Sequence, residues 1–290
     1  MTICMGALCA DSGDSKAVVV ASDRMVTWAN LIEFEHGVPK LTVAPPSAVV
    51  FGAGDALIAN MLTERVVRAG TVHTVTDLAN ALSTQYAQMR QERAEADILM
   101  ARGLNWAAFY GQHAQLQQPI VMMIDQALAQ YNLGVELLAA GVDDSGAHLF
   151  TVHNPGGKVN RHDVINFAAI GSGTLHALQS MIGFEHTAKD DLKETVFRVY
   201  ASKRRAEVAP GVGKDTDLLI VRAGQIDAVG DAVLKELEEL YKEFLASIAR
   251  NLGSKISKLD IKEEASEPAP APKSATGARR RRTGAARAES

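Results

Sequence analysis

MTICMGALC (residues 1–9) and AVVVASDRMVT (residues 17–27) are two strand-like runs separated by the turn-forming DSGDS of residues 11–15. The first run begins directly after Met1, with Thr2. Most domains leave their first residues as loosely ordered chain. A core strand that starts at residue 2 is therefore expected to place its terminus where the molecule uses it. The only two cysteines, Cys4 and Cys9, both lie in this opening run. Side chains alternate along a strand, so the two point to opposite faces and cannot pair. They read as small buried hydrophobes in a reducing compartment.

Outward from this hairpin, VPKLTVA (38–44) and SAVVFGAG (47–54) read as two more strands parted by Pro45 and Pro46. Asp55 then caps a helix with Ile58, Met61, Leu62 and Val66 at helical spacing, and Gly70 ends it. A second helix starts near Thr74, carries Leu78, Leu82 and Met89 on one face, and runs to about residue 102. Residues 103–133, rich in Gln and aromatics, read as a partly helical insertion suited to an interface. Strands return as GVELLAAGV (134–142), HLFTVHN (148–154) and VINFAAIGSG (164–173), with NPGG as hairpin punctuation between the last two. Two helices follow, the second opening at Thr187-x-x-Asp190 with a capping-box spacing and carrying Leu192, Val196, Val199 and Tyr200. TDLLIVRA and QIDAVG form a last hairpin, and 231–251 is an amphipathic helix. From Gly253 the composition turns to Lys, Glu, Pro, Ala and Arg, a disordered tail containing Arg279 to Arg282.

A chain that returns twice to strands after paired helices can stack two antiparallel sheets between helical layers. The expected fold is therefore α+β, a four-layer α-β-β-α sandwich over residues 1–252, with the insertion at about 103–133 and the tail at 253–290. At 290 residues, 47% hydrophobic and 22% charged, the chain has ample core for a globular protein. The net charge of −4 argues against a nucleic-acid binder as a whole. No apolar run reaches membrane-span length, and no basic-then-apolar leader opens the chain. A cytoplasmic protein is expected. The eight histidines lack metal-ligand spacing, and APGVGKD (209–215) lacks the first glycine of a phosphate loop and reads as a turn.

The terminus offers chemistry of its own. Removal of Met1 before the small Thr2 would free an α-amine beside a hydroxyl. The hydroxyl can attack, and an amine with an unperturbed pKa near ~7.7–8.0 can take its proton. A lysine cation nearby would keep that amine unprotonated, and a carboxylate would hold the lysine. Asp23 and Lys40 are available in the next strands. Gly52, at a strand-to-helix junction, offers a backbone N–H for an oxyanion.

The stretches TICMGAL, VVVASDRMVTWANLI, PKL and FGAGDA resemble the start of a proteasome β subunit or of the bacterial HslV-type peptidase, both N-terminal-nucleophile hydrolases. VELLAAGVDDSGAHLFTVHNPGG and FAAIGSGTLHAL resemble the second half of the same family, so the likeness spans about residues 2–222 in order. It implies Thr2 as nucleophile and base, Asp23 and Lys40 as the charge pair, Gly52 as oxyanion donor and Ser172 as support for the amine. Thr27 would bond an extended peptide substrate as an added strand does. Val26, Val50 and Ala53 would line an apolar pocket for the side chain before the scissile bond. The implied activity is a threonine endopeptidase in stacked homo-oligomeric rings, acting on peptides or unfolded proteins without metal or cofactor, and served by an ATP-dependent unfoldase. Three departures stand out: a longer first hairpin, one residue inserted before Lys40, and Glu207 and Pro210 where proteasomes carry an acid and a serine. With the insertion and tail they point to a divergent bacterial branch. Two other readings are an N-terminal-nucleophile amidohydrolase of small amides and a non-catalytic ring subunit.

Overall fold

The computed structural model describes residues 2–13, 15–28, 32–37, 40–70 and 72–256, leaving aside the side chains of Thr27, Trp28, Ile32, Glu33 and Ser254. In chain order the first strands are β1 (Cys4–Ala10), β2 (Lys16–Asp23), β3 (Met25–Trp28), β4 (Ile32–Glu35), β5 (Leu41–Ala44) and β6 (Ala48–Gly54). Helices α1 (Ala56–Ala69), α2 (Val75–Ala94), α3 (Trp106–Gln112) and α4 (Gln118–Gln130) follow. Then come β7 (Val135–Asp143), β8 (Gly146–His153), β9 (Lys158–Arg161) and β10 (Phe167–Ile170). The chain continues through α5 (Thr174–Gly183), α6 (Leu192–Ala206), β11 (Thr216–Arg222), β12 (Gln225–Ala228) and α7 (Asp231–Ile256).

The mixture is α+β, with two five-stranded antiparallel sheets in the orders β10-β1-β2-β11-β12 and β5-β6-β7-β8-β9. β1 is hydrogen-bonded on both sides, to β10 and β2. Its alternate residues serve two cores, which is why it reads as a continuous apolar run. Cys4 and Leu8 join Val18, Val20, Val49, Phe51, Leu138 and Leu149, side chains drawn from both sheets. Ile3, Met5 and Cys9 join Ala177, Met181, Val199 and Leu237 of α5, α6 and α7. On the second sheet, Val50, Leu137, Ala139 and Val152 meet Leu62, Leu78, Leu82 and Tyr86 of α1 and α2. A fully buried Leu or Phe contributes about 1.5–3 kcal/mol, so these clusters fix the sheets against their helices.

Local signals in the sequence set several boundaries. The Asp55 carboxylate accepts the N–H groups of Leu57 and Ile58 at the start of α1, and Gly70 closes it at φ +65°. Thr74 and Asp77 form a reciprocal capping box on α2. Helical backbone continues past α2 through a π turn (Glu95–Leu99) and a 3-10 turn to Arg102. The insertion is helical as α3 and α4, with Phe109, Ile124 and Leu128 packed on Ile98 and Leu99.

Met25–Trp28 pairs antiparallel with Ile32–Glu35, two strands beyond those expected. Three expectations are corrected. The NPGG turn joins β8 to β9, while Phe167–Ile170 crosses to the other sheet and pairs with β1. Helix α6 is capped by Asp191, which accepts the Lys193 N–H at 2.8 Å, and not by Thr187. Helix α7 continues to Ile256, past the expected tail boundary at 253. The rest of the tail, from residue 257, lies outside the described residues.

Candidate functional site

Strand register assembles the site. β1 lies against β2 with Cys4 opposite Ser22, which brings Ile3 and Thr2 alongside Asp23 at the end of β2. The Asp23 N–H donates to the Ile3 carbonyl at 3.1 Å, and the Ile3 N–H donates to Asp23 Oδ1 at 3.0 Å. The Thr2 hydroxyl donates to the same carboxylate oxygen. Lys40 sits one step beyond the Leu41–Phe51 pair of β5 and β6, on the side of Gly52. Its Nζ donates to Thr2 Oγ1 at 2.5 Å and to Asp23 Oδ1 at 3.1 Å. It is therefore Lys40 that stands beside Thr2.

Asp23 is fully buried, and its second oxygen accepts the N–H groups of Met25 (3.1 Å) and Gly213 (2.8 Å). Five donors thus meet one carboxylate. They fix its orientation and leave it no freedom to turn from Lys40. Gly213 must be glycine for packing reasons, because a Cβ there would lie 2.9 Å from Met25 Cβ and 2.6 Å from Glu35 Oε1.

The backbone of Thr2 is held separately. Its N–H donates to Ser172 Oγ at 3.2 Å, and its carbonyl accepts the Gly173 N–H at 3.2 Å. The Ser172 hydroxyl lies 3.3 Å from the Thr2 carbonyl and 3.1 Å from that of Pro210. Gly171 has φ +96°, and a Cβ on it would stand 2.3 Å from the Thr2 carbonyl oxygen. The GSG turn after β10 can approach Thr2 this closely only without side chains at its flanks. Cys4, two residues on, does not compete as a nucleophile: burial pushes its thiol up to about 12, far above neutrality.

Gly52 is placed by pairing with Leu137 across β6 and β7, and its carbonyl lies 4.0 Å from Cys4 Sγ. Ala59 of α1 sits over it, 2.5 Å from where a Cβ would stand. Thr27 pairs with Glu33 in the β3–β4 hairpin, and its side chain lies outside the described residues. The expected apolar pocket is corrected. Val26 is half-buried on β3, whereas Val50 packs into the helix-side cluster and Ala53 into the cluster between the sheets. Val50 and Ala53 are three apart on one strand and so face opposite ways; they do not line a common pocket.

Several contributing residues carried no signal in the sequence. Lys203 of α6 is completely buried, and its Nζ donates to Glu207 Oε1 (2.8 Å) and to the carbonyls of Gly213 (2.9 Å) and Lys214 (2.8 Å). Burial pushes its pKa below the ordinary lysine value, against the pull of Glu207. It pins the loop whose Gly213 N–H reaches Asp23. Glu207, one of the departures noted above, is used here to neutralise Lys203 and Arg204. The other, Pro210, supplies a carbonyl to Ser172. Lys203→Met is expected to cost about 2 kcal/mol in a denaturant titration. That is below the ~3–5 kcal/mol of a broken buried pair, because Arg204 still answers Glu207.

A cleft of about 540 Å³ is lined by Ala53, Gly54, Glu136, Gly171 and Ser172 among others, and the last two of these residues contact Thr2. Among the described residues, no group of His, Cys, Asp and Glu is placed to hold a metal ion, and no helix is long and apolar enough to cross a membrane. A second polar relay lies at the β7–β8 turn, where Ser145 Oγ is 2.7 Å from His148 Nε2 and His148 Nδ1 is 2.7 Å from Asp163. The Ser145 hydroxyl, however, also meets Asp143 Oδ1 at 2.6 Å, and that carboxylate accepts the Ser145 and Val75 N–H groups as well. A serine whose proton is held by a carboxylate is a stitched turn, not an activated nucleophile.

No protein-family model matches the chain. Over 154 residues it is 29% identical to proteasome subunit beta type-2 of Saccharomyces cerevisiae, covering 50% of this chain and 56% of that subunit. The likeness is to a proteasome β subunit. The chain spans little more than half the length of that relative. The resemblance read from the sequence and this distant relationship point the same way.

Proposed function

We propose that the chain is a threonine peptidase of the proteasome β type, with Thr2 as its N-terminal nucleophile once Met1 is removed. The observation that carries the proposal is the contact of Lys40 Nζ with Thr2 Oγ1 at 2.5 Å, with Asp23 bonded to both. We read the two sheets and their flanking helices as the four-layer α-β-β-α sandwich of N-terminal-nucleophile hydrolases, with residues 1–252 as its domain.

In this reading Thr2 Oγ1 attacks the scissile carbonyl carbon while its proton passes to the freed α-amine. The Lys40 charge favours the oxygen as it becomes anionic, and Asp23 holds Lys40 in place. The oxyanion is received by the Gly52 N–H. The α-amine, positioned by Ser172, returns the proton to the leaving nitrogen as the C–N bond breaks. A water then hydrolyses the ester on Thr2 by the same route in reverse, its proton going to the amine and then to Oγ1. The products are a carboxylic acid, an amine and the original threonine.

The similarity to a proteasome β subunit supports assembly with copies of the same kind into rings that enclose the active sites. Enclosure would protect the cytosol from a peptidase with little side-chain selectivity, and an ATP-driven unfoldase would feed it unfolded chains. The direct test is the intact mass of the purified protein before and after a bifunctional electrophile that reacts with a 1,2-amino alcohol. Loss of Met1 and one adduct per chain, absent in Thr2→Ala, is the expected result. A retained Met1 with no adduct would identify a non-catalytic ring subunit. An adduct without hydrolysis of any peptide would point to a small-amide hydrolase.

A further inference from the structure

We infer that the cleft beside Thr2 is a subsite for the leaving side of the substrate and that it selects a basic residue directly after the scissile bond. The inference rests on Thr2 being the nucleophile. The leaving nitrogen must take its proton from the Thr2 amine, and the Thr2 backbone nitrogen that becomes this amine donates to Ser172 Oγ. The leaving fragment therefore departs along the wall that Gly171 and Ser172 form, which is a wall of the 540 Å³ cleft.

The lining decides the chemistry. Glu136 of β7 is the only charged residue among those that line the cleft. One of its carboxylate oxygens accepts the Gly171 N–H at 2.9 Å. Among the described residues the other oxygen has no partner. His153, also on the wall, is committed at both ring nitrogens: Nδ1 lies 2.6 Å from the Asn154 carbonyl, and Nε2 lies 2.7 Å from the Asn160 amide nitrogen. The second oxygen of the exposed Glu136 carboxylate lacks a cationic partner among the described residues. A lysine or arginine side chain supplies it; a glutamate would meet like charge, and a leucine would leave the carboxylate unanswered.

The test uses the full chain and internally quenched peptides that are identical up to the scissile bond and carry Lys, Leu or Glu just after it. Cleavage positions are read by mass spectrometry. The Lys peptide is expected to exceed the Glu peptide by about tenfold or more in kcat/KM, the scale of one charge-assisted contact. Glu136→Gln keeps an acceptor for the Gly171 N–H, so the fold is retained, and it should remove most of that preference; Glu136→Lys should reverse it. A second measurement does not need turnover: Lys-Ala-Ala-amide against Leu-Ala-Ala-amide, titrated into Thr2→Ala. Tighter binding of the Lys fragment, lost in Glu136→Gln, is expected. Equal use of the three peptides with Thr2-dependent cleavage overturns the inference alone, as does a preference that survives Glu136→Gln or equal binding of the two fragments. No Thr2-dependent cleavage, with the Lys fragment still bound through Glu136, overturns the peptidase reading and with it the leaving-side role, and shows the cleft to be a cation-binding site only.

Discussion

Thr2→Ala is expected to lower peptide hydrolysis by at least ~10⁴-fold, the scale on which loss of a covalent nucleophile is felt. The substitution removes one hydroxyl that bonds Asp23 and Lys40 and no other contact to either. Asp23 keeps its bonds from the Ile3, Met25 and Gly213 N–H groups and from Lys40. Stability should therefore fall by only about 1 kcal/mol, as for a single hydrogen bond. Thr2→Ser restores the hydroxyl and should restore a large share of the rate. Turnover is measured with a fluorogenic peptide and stability by denaturant unfolding. A Thr2→Ala protein that works at the native rate would remove Thr2 from the chemistry, whatever its neighbours.

Lys40→Ala is expected to reduce turnover by at least ~100-fold, about 2.7 kcal/mol in the barrier. Without the ammonium, Thr2 Oγ1 faces the Asp23 carboxylate alone, and that charge opposes the anion that attack creates. The loss should fall on kcat with little change in KM, because Lys40 is argued to act on the attacking oxygen and not on substrate binding. Lys40→Arg should not rescue it. The lysine head fits between two oxygens in a site where its side chain is 15% exposed, and a planar guanidinium cannot take that place. Full activity in Lys40→Ala would show that another group supplies the charge.

The sequence by itself determined the local signals and the order of elements. The Asp55 cap, the helix start at Thr74 and the Gly70 stop are chemistry within four residues, and the structure keeps each. The α+β class followed from a chain that returns twice to strands after paired helices, and the unbroken apolar run of β1 agrees with its burial on both faces. Thr2, Asp23, Lys40 and Ser172 could be named as candidates because a resemblance links motifs far apart in the chain. The opposed faces of Val50 and Ala53 were also open to reading, since residues three apart on a strand never share a side.

What depended on tertiary structure was which distant groups meet. Lys203 lies in the charged run KRRAE and looks like a solvated helix face, yet α6 packs so that this one lysine is driven inside. Its ammonium is tolerable there only because Glu207 and two carbonyls converge on it, and that convergence is set by the loop after α6. Gly213 in GVGKD gives a turn signal and no hint that its N–H bonds Asp23, 190 residues away in sequence. Glu136 alternates outward on β7 like any exposed strand residue, and it becomes the charge of a cleft only when the Gly171 turn is laid against it. Periodicity reports which way a side chain points relative to its own element. It holds no information on what the other sheet or the next helix brings to the same spot, because those contacts are fixed by packing across the whole core.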